Sequence, residues 1–101
     1  MTSITERISI PADRLAEICR RYHVRRLALF GSVLRDDFTP QSDVDVLVEF
    51  EPGRTPGLAF FALQDELTEL FGRQVDLNTA GFLSPYFRDE VVAEAEAIYV
   101  A

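Results

Sequence analysis

Residues Leu29–Phe50 read LFGSVLRDDFTPQSDVDVLVEF, and the rest of the chain is organised around them. A short apolar run, typical of a buried strand, breaks at Gly31–Ser32, where a glycine lets the backbone approach a ligand closely. In the second run acidic and apolar residues alternate, so Asp43 and Asp45 project from the same face of a strand. The stretch therefore predicts two strands, the first ending in a turn at Gly31–Ser32 and the second carrying a pair of carboxylates.

The paired carboxylates indicate either a metal site or a solvated strand face. Two like charges this close repel one another, and one pKa rises unless a cation neutralises them. Hard oxygen ligands suit Mg²⁺, which takes one or two carboxylates from a protein and its other ligands from water and substrate phosphates. An Asp-x-Asp sequence alone more often means two solvated aspartates. The glycine-serine turn after the preceding strand is what favours the metal site.

The segment after the first strand predicts an anion site. A helical turn from Val33 to Asp37, with its N-terminus at Gly31–Ser32, would direct free backbone N–H groups at phosphate oxygens. The Ser32 hydroxyl would add a contact. Arg35, one turn further on, is placed to reach a phosphate or a base, or to pair with one of the two aspartates that follow it.

The hydrophobic periodicity predicts a single α/β domain over residues 1–101, with helices packed on a small mixed sheet. Strands are expected at Arg26–Phe30, Asp43–Phe50 and Gln74–Asn78. Helices are expected from Pro11 to about His23, from Leu58 to Phe71 with Gly72 as the stop, and from Ser84-Pro85 to about Ile98. The last helix is expected to bury Phe87, Val91, Ala95 and Ile98. Three further aromatic residues are expected in the core: Phe60, Phe61 and Phe71.

The charged residues exclude one kind of phosphate-binding site and argue against one class of partner. The net charge is −7; seven of the ten basic residues lie at or before Arg35, and fourteen of the seventeen acidic residues lie after it. The chain has no lysine, which excludes a phosphate-binding loop of the Walker type. The overall acidity argues against nucleic acid as a standing partner and suits a basic protein partner instead.

Hydropathy and cysteine content predict the compartment. No apolar run approaches the roughly 20 residues that span a bilayer, and the N-terminal residues lack the apolar core of a secretory signal. The chain has one cysteine, Cys19, so it cannot form an internal disulfide. We therefore expect a cytoplasmic protein with no membrane partner, and a Cys19 thiol packed on the apolar face of the first helix.

The chain resembles the polymerase-beta-like nucleotidyltransferase superfamily. The resemblance rests first on Gly31–Ser32, ten intervening residues, and then Asp43-x-Asp45 followed by Val-Leu-Val. A later stretch, Gly72–Leu77, is similar to the family's strand that carries a third carboxylate. The three elements occur in the family's order, and the resemblance covers nearly the whole chain.

Several neighbouring residues resemble the superfamily's small prokaryotic branch, the minimal nucleotidyltransferases. They are the phenylalanine before the glycine-serine pair, Arg35, and Ser42 before the first aspartate. The family usually has glycine after the arginine, where this chain has Asp36–Asp37. At that departure the family's helix-end geometry, and the charge that it presents to a nucleotide, do not carry over to this chain.

The resemblance implies nucleotidyl transfer with ATP as substrate and Mg²⁺ as cofactor, in a site that holds two metal ions. Asp43 and Asp45 would hold Mg²⁺ against the triphosphate, and Asp76 would hold the second metal ion or deprotonate the acceptor hydroxyl. The implied nucleotide-binding residues are Gly31, Ser32, Arg35 and Ser42.

Members of this branch are commonly antitoxins encoded with HEPT-domain toxins. The resemblance therefore implies transfer of AMP to a tyrosine of a HEPT toxin, which would complete the site, since 101 residues leave no room for an acceptor domain. Two alternatives stay open. One is a binding module that neutralises the toxin by contact alone, which Asp36–Asp37 favours. The other is a transferase acting on a small hydroxylated molecule.

Overall fold

The alternating apolar runs form a four-stranded mixed sheet in the computed structural model, which describes residues 10–35, 38–39 and 41–101. The strands are β1 (Val24–Phe30), β2 (Val44–Phe50), β3 (Val75–Asn78) and β4 (Glu96–Val100). The helices are α1 (Ala12–Arg21), α2 (Ala59–Phe71) and α3 (Arg88–Glu94). Two 3₁₀ turns lie at Gly31–Leu34 and Ala80–Phe82. The predicted α/β class with a small mixed sheet is confirmed.

The strand order is β3-β2-β1-β4, so β1 and β2 occupy the centre of the sheet. β1 runs antiparallel to both of its neighbours, whereas β2 and β3 run parallel and are joined through α2, the kind of crossover that parallel strands require. Burial of apolar side chains from α1, α2 and one sheet face stabilises this arrangement. The cluster includes Leu15, Ile18, Cys19, Leu27, Leu29, Val46, Val48, Leu63, Leu67 and Val75.

The opposite face of the sheet is also covered in its middle. Ala28 of β1 and Leu47 of β2 are register partners, and both are buried although they alternate with the residues that face α1 and α2. The chain must cross from β3 at one edge to β4 at the other, and the 3₁₀ turn Ala80–Phe82 on this connection contacts β2. The connection through residues 79–95, which includes the buried side chain of Leu83, therefore covers this second face.

The ends of the first two helices follow simple backbone chemistry. Gly72 adopts φ 73°, a left-handed conformation that ends α2 as predicted. α1 ends at Arg21, earlier than predicted, and His23 then adopts φ 58°. This left-handed residue redirects the chain so that β1 begins at Val24, two residues before the predicted start.

The prediction for the last helix was wrong at both ends. Ser84 accepts backbone hydrogen bonds from Phe87 and Arg88, but the helix begins only at Arg88. It ends at Glu94, because Ala95 is extended and the chain continues as β4 along the free edge of β1. The ladder of backbone hydrogen bonds that β4 gains there outweighs the helical spacing of its side chains, and Ile, Tyr and Val also favour a strand.

The aromatic residues were predicted only in part. Phe71 is buried and Phe60 is half-buried, but Phe61 is 60% exposed and its prediction as a core residue was wrong. On the last helix, Phe87 is 47% exposed rather than buried.

The prediction for Cys19 is confirmed, since its side chain is fully buried. This burial raises the pKa of the thiol to about 12, while nearby Arg20 lowers it. Within the described residues, every helix is too short or too polar to cross a membrane.

A polar contact joins α1 to α2. The Tyr22 hydroxyl donates a hydrogen bond to Glu66, and Arg21 Nη1 lies 2.6 Å from the other carboxylate oxygen of Glu66. The hydrogen bond from Tyr22 lowers the pKa of the Glu66 carboxyl below its ordinary value of 4.5, and the hydrogen bond and charge of Arg21 act in the same direction. The carboxylate form of Glu66 is therefore the form that stabilises the fold.

We predict that Glu66→Gln lowers the free energy of unfolding by about 0.5–1 kcal/mol at pH 7, since exposed ion pairs add little to one hydrogen bond. The folded-state pKa of Glu66 lies below its unfolded value. Its contribution is therefore complete above the unfolded pKa and is lost as pH falls through the folded pKa. Urea unfolding at pH 7 and pH 3 should show that the difference in the free energy of unfolding between the wild type and Glu66→Gln is smaller at pH 3. Glu69→Gln, an exposed acid on the same helix, is the control. An equal loss for both variants would contradict the prediction.

Candidate active site

Strand register brings carboxylates together at one end of the sheet. Asp45 of β2 is the direct partner of Asp76 on the parallel strand β3 and of Phe30 on β1. Side chains of register partners point to the same face, and neighbouring strands are only about 4.8 Å apart. Asp43 lies two residues before Asp45, directly before β2 begins. Two aspartates that are distant in sequence, Asp45 and Asp76, are thus adjacent in the fold.

Two of the carboxylates, Asp43 and Asp76, act electrostatically on the third, Asp45. Asp45 is half-buried, and this burial is the main cause that raises the pKa of its carboxyl above the ordinary value. The charges of Asp76 and then Asp43 raise that pKa further, whereas the Arg35 guanidinium lowers it. Asp43 and Asp76 are exposed to solvent. The arrangement concentrates negative charge around Asp45, which favours the binding of a cation there.

The turn after β1 packs directly on Asp45. Gly31 begins the 3₁₀ turn with φ 77°, a conformation that residues with a side chain rarely adopt. A Cβ atom at this position would overlap Oδ2 of Asp45 and would lie 3.1 Å from its Cγ. Both the backbone conformation and the space require glycine. The predicted phosphate-binding turn and the predicted metal ligand therefore occupy one site.

Of the other predicted nucleotide-binding residues, Ser32 and Arg35 lie in and directly after this turn, whereas Ser42 lies in the loop before β2. Ser32 is partly exposed within it, and the backbone N–H of Arg35 donates to the Ser32 carbonyl over 2.9 Å. Ser42 lies just before the carboxylates, where its hydroxyl accepts the backbone N–H of Thr39 at 3.0 Å. Ser42 thus already serves to hold the loop. Asp36 and Asp37 lie outside the described residues.

Arg35 points toward the end of α3. Its Nη2 atom lies 3.9 Å from Oε2 of Glu94, and both side chains are exposed. These two residues line an open cavity of about 310 Å³ together with Leu34 and Glu96. Neither glutamate was predicted as part of the site, because the helical spacing of the apolar residues placed both within one helix that ran to about Ile98. The consecutive strand-forming residues Ile98, Tyr99 and Val100 were the signal that could have revealed β4.

The donor set fits a hard divalent cation held by few protein ligands. Within the part of the chain that is described, no three acidic, histidine or cysteine side chains are already arranged to hold a metal ion. Mg²⁺ does not require such a cage, since it usually keeps several waters and takes only one or two carboxylates plus phosphate oxygens. Asp43 and Asp45, crowded by the charge of Asp76, supply oxygens of the right kind.

We predict that Gly31→Ala destabilises the protein more than Gly72→Ala. Gly72 has nearly the same φ, 73°, but a Cβ there would meet nothing within 4 Å, so only the backbone conformation costs free energy, about 1–2 kcal/mol. At Gly31 the overlap with Asp45 should add about 1–3 kcal/mol. Urea unfolding measures both losses. Equal losses would show that Asp45 moves away without cost.

Comparison with known proteins identifies the family of this chain. The sequence profile of the nucleotidyltransferase domain family matches residues 12–98. Protein adenylyltransferase MntA of Thermococcus cleftensis is 38% identical over 101 residues, which cover 99% of this chain and 98% of MntA. A solved structure provisionally named a minimal nucleotidyltransferase is 37% identical with a TM-score of 0.68, over 83% of this chain and 85% of that one.

A more distant structure shares the fold. It is a tri-AMPylated HEPN toxin of Shewanella oneidensis in complex with an MNT antitoxin, and the match has a TM-score of 0.61 at 20% identity. The match covers 89% of this chain and 70% of that chain. The profile match, which covers most of the chain, and the near full-length likeness to MntA show the relationship directly. The chain therefore belongs to the nucleotidyltransferase domain family and is one of its minimal members.

Proposed function

We propose that this nucleotidyltransferase transfers AMP from ATP to a tyrosine hydroxyl of a HEPT toxin and thereby acts as an antitoxin. The observation that carries the proposal is the site in which Asp45 lies beside Asp76 and directly against the Gly31 turn. A relative of nearly equal length is named a protein adenylyltransferase, and a structural neighbour is an AMPylated toxin bound to its antitoxin. Both support a protein as the acceptor.

The residues of the site have separate roles in this proposal. Gly31 and Ser32 would hold the triphosphate against β2, and Arg35 would offset the charge of the phosphates. Asp43 and Asp45 would hold Mg²⁺, which, when bound, offsets charge on the phosphates and makes the α-phosphorus more electrophilic. Ser42 would keep the loop before these aspartates in place, through its bond to Thr39.

Asp76 would act on the acceptor. The tyrosine oxygen attacks the α-phosphorus of ATP, a bond forms between them, and the bond to the leaving pyrophosphate breaks. The hydroxyl proton passes to the Asp76 carboxylate, which acts as general base. Asp76 and Asp43 are exposed at the end of the sheet, so a side chain on the surface of another protein can reach them.

A binding-only antitoxin is the second candidate. It is favoured by Asp36–Asp37, which stand where the family usually has glycine after the arginine. Under this alternative the carboxylates would have no chemical role, and neutralisation would depend on contact alone. A transferase for small hydroxylated molecules has less support, since the named relatives act on proteins.

We predict that the intact mass of the HEPT toxin increases by one or more AMP units when it is incubated with this chain, ATP and Mg²⁺. Asp45→Asn and Asp43→Ala should nearly abolish the increase, and Asp76→Asn should slow it about 100-fold or more, the usual contribution of a general base. EDTA should also prevent it. Asp65→Asn, an exposed acid on α2, should transfer AMP at the wild-type rate. Replacing the modified toxin tyrosine with phenylalanine should remove the gain at that site.

Two results would contradict this proposal. An unchanged toxin mass, together with a tight complex that survives Asp43→Ala, would leave a binding-only antitoxin. A mass increase that persists in Asp45→Asn and Asp76→Asn would show that the reaction does not use these carboxylates.

A further inference from the structure

Arg35 is held between two elements that meet beside the nucleotide turn. Its backbone is extended, with φ −120° and ψ 167°, and its N–H bonds to the carbonyl of Ser32 at 2.9 Å. These contacts fix the point at which the side chain leaves the turn. The guanidinium then lies 3.9 Å from Glu94 and acts electrostatically on Asp45. Arg35 thus lies between the carboxylate site and the end of α3.

Glu94 occupies a position where a negative charge is unfavourable. It is the last residue of α3, and the C-terminus of a helix carries partial negative charge that favours cations instead. The last turn of α3 has no basic residue of its own. Arg35, from a different element, supplies the nearby positive charge. The positive charge near Glu94 therefore comes from Arg35, beside the Gly31 turn, although Glu94 itself is unfavourable for the stability of α3.

The cavity beside this pair has a second acid that serves for comparison. Glu96 begins β4, opposite Leu29 of β1, and lines the same cavity of about 310 Å³. The ion pair of Arg35 within this cavity is with Glu94. Two carboxylates of equal charge thus stand near one guanidinium, one of them paired with it. Replacing Glu94 removes both the ion pair with Arg35 and a negative charge, whereas replacing Glu96 removes only a negative charge. Comparison of the two variants therefore separates the effect of the ion pair from that of the charge.

We propose that Glu94 is a positioning residue that holds Arg35 when no nucleotide is bound, and that ATP must take Arg35 from it. This inference rests on the proposed function, since it concerns the nucleotide site of that reaction. A phosphate group binds a guanidinium through two parallel hydrogen bonds and carries more charge than one carboxylate. At 3.9 Å and about 60% exposure, the Glu94 pair is weak enough to yield to the triphosphate. Glu94 therefore lowers the affinity for ATP and keeps Arg35 near the turn.

The test measures binding of a fluorescent ATP analogue with Mg²⁺ to the full chain. Glu94→Gln should tighten binding about two- to fivefold, the range expected for one exposed ion pair, and the gain should shrink at high salt. Glu96→Gln removes the same charge from the same cavity and should have a smaller effect. In transfer assays with the toxin, the KM for ATP should fall in Glu94→Gln while kcat stays unchanged.

A double-mutant cycle tests whether Glu94 acts through Arg35. In an Arg35→Gln background, Glu94→Gln should no longer tighten binding, because the residue it holds is gone. If the gain persists there, Glu94 acts only through its charge and the inference is wrong. An unchanged or weaker affinity in Glu94→Gln would also overturn it while leaving the proposed function intact. If the wild-type chain does not bind the ATP analogue, the proposed function and this inference both fail.

Discussion

The site depends on a close contact between a carboxylate and a backbone that has no side chain. Asp45 can lie where it does only because Gly31 leaves its Cβ position empty, and Gly31 can adopt φ 77° only because it is glycine. The strand register then places Asp76 beside Asp45 from the other side. One half-buried aspartate is therefore confined between a turn and a like charge, and its raised pKa reflects both its burial and its neighbours.

One face of the sheet carries most of the apolar core, and the other face carries the aspartates of the candidate site. Helices α1 and α2 bury the face that carries Leu29 and Val46, and this packing supplies most of the apolar core. The other face is covered in its middle by the connection between β3 and β4 but carries its aspartates at one end. A charged cluster would be costly under a helix layer, because burial of unpaired carboxylates is strongly unfavourable. At the end of the sheet, water and a ligand can reach them.

Local patterns predicted the parts of the site that local sequence determines. The alternation around Asp43 and Asp45, the glycine-serine turn and the helix stop at Gly72 all reflect backbone rules that act over a few residues. The adjacency of Asp76 to Asp45 required the family resemblance, since it depends on the register of strands that α2 separates. β4 was missed because residues 96–100 have helical spacing as well as strand-forming side chains, and the free edge of β1 decides between them. With β4 missed, the position of Glu94 and Glu96 beside Arg35 could not be predicted either.

The long stretch of chain between β2 and β4, the two strands that pair with β1, has a consequence for the order of folding. Arg26 pairs with Val100, whereas β1 and β2 are close in sequence, so closing β4 onto the sheet carries the larger loop entropy. We expect β4 to dock after the other strands and to detach first in local unfolding, which hydrogen exchange of its amides would reveal as weaker protection than in β2. The two glutamates near Arg35 lie at this last-formed junction. Local detachment of β4 would then move the glutamates near Arg35, on one side of the proposed nucleotide site, while Asp45 of β2 and Asp76 of β3 stay in place.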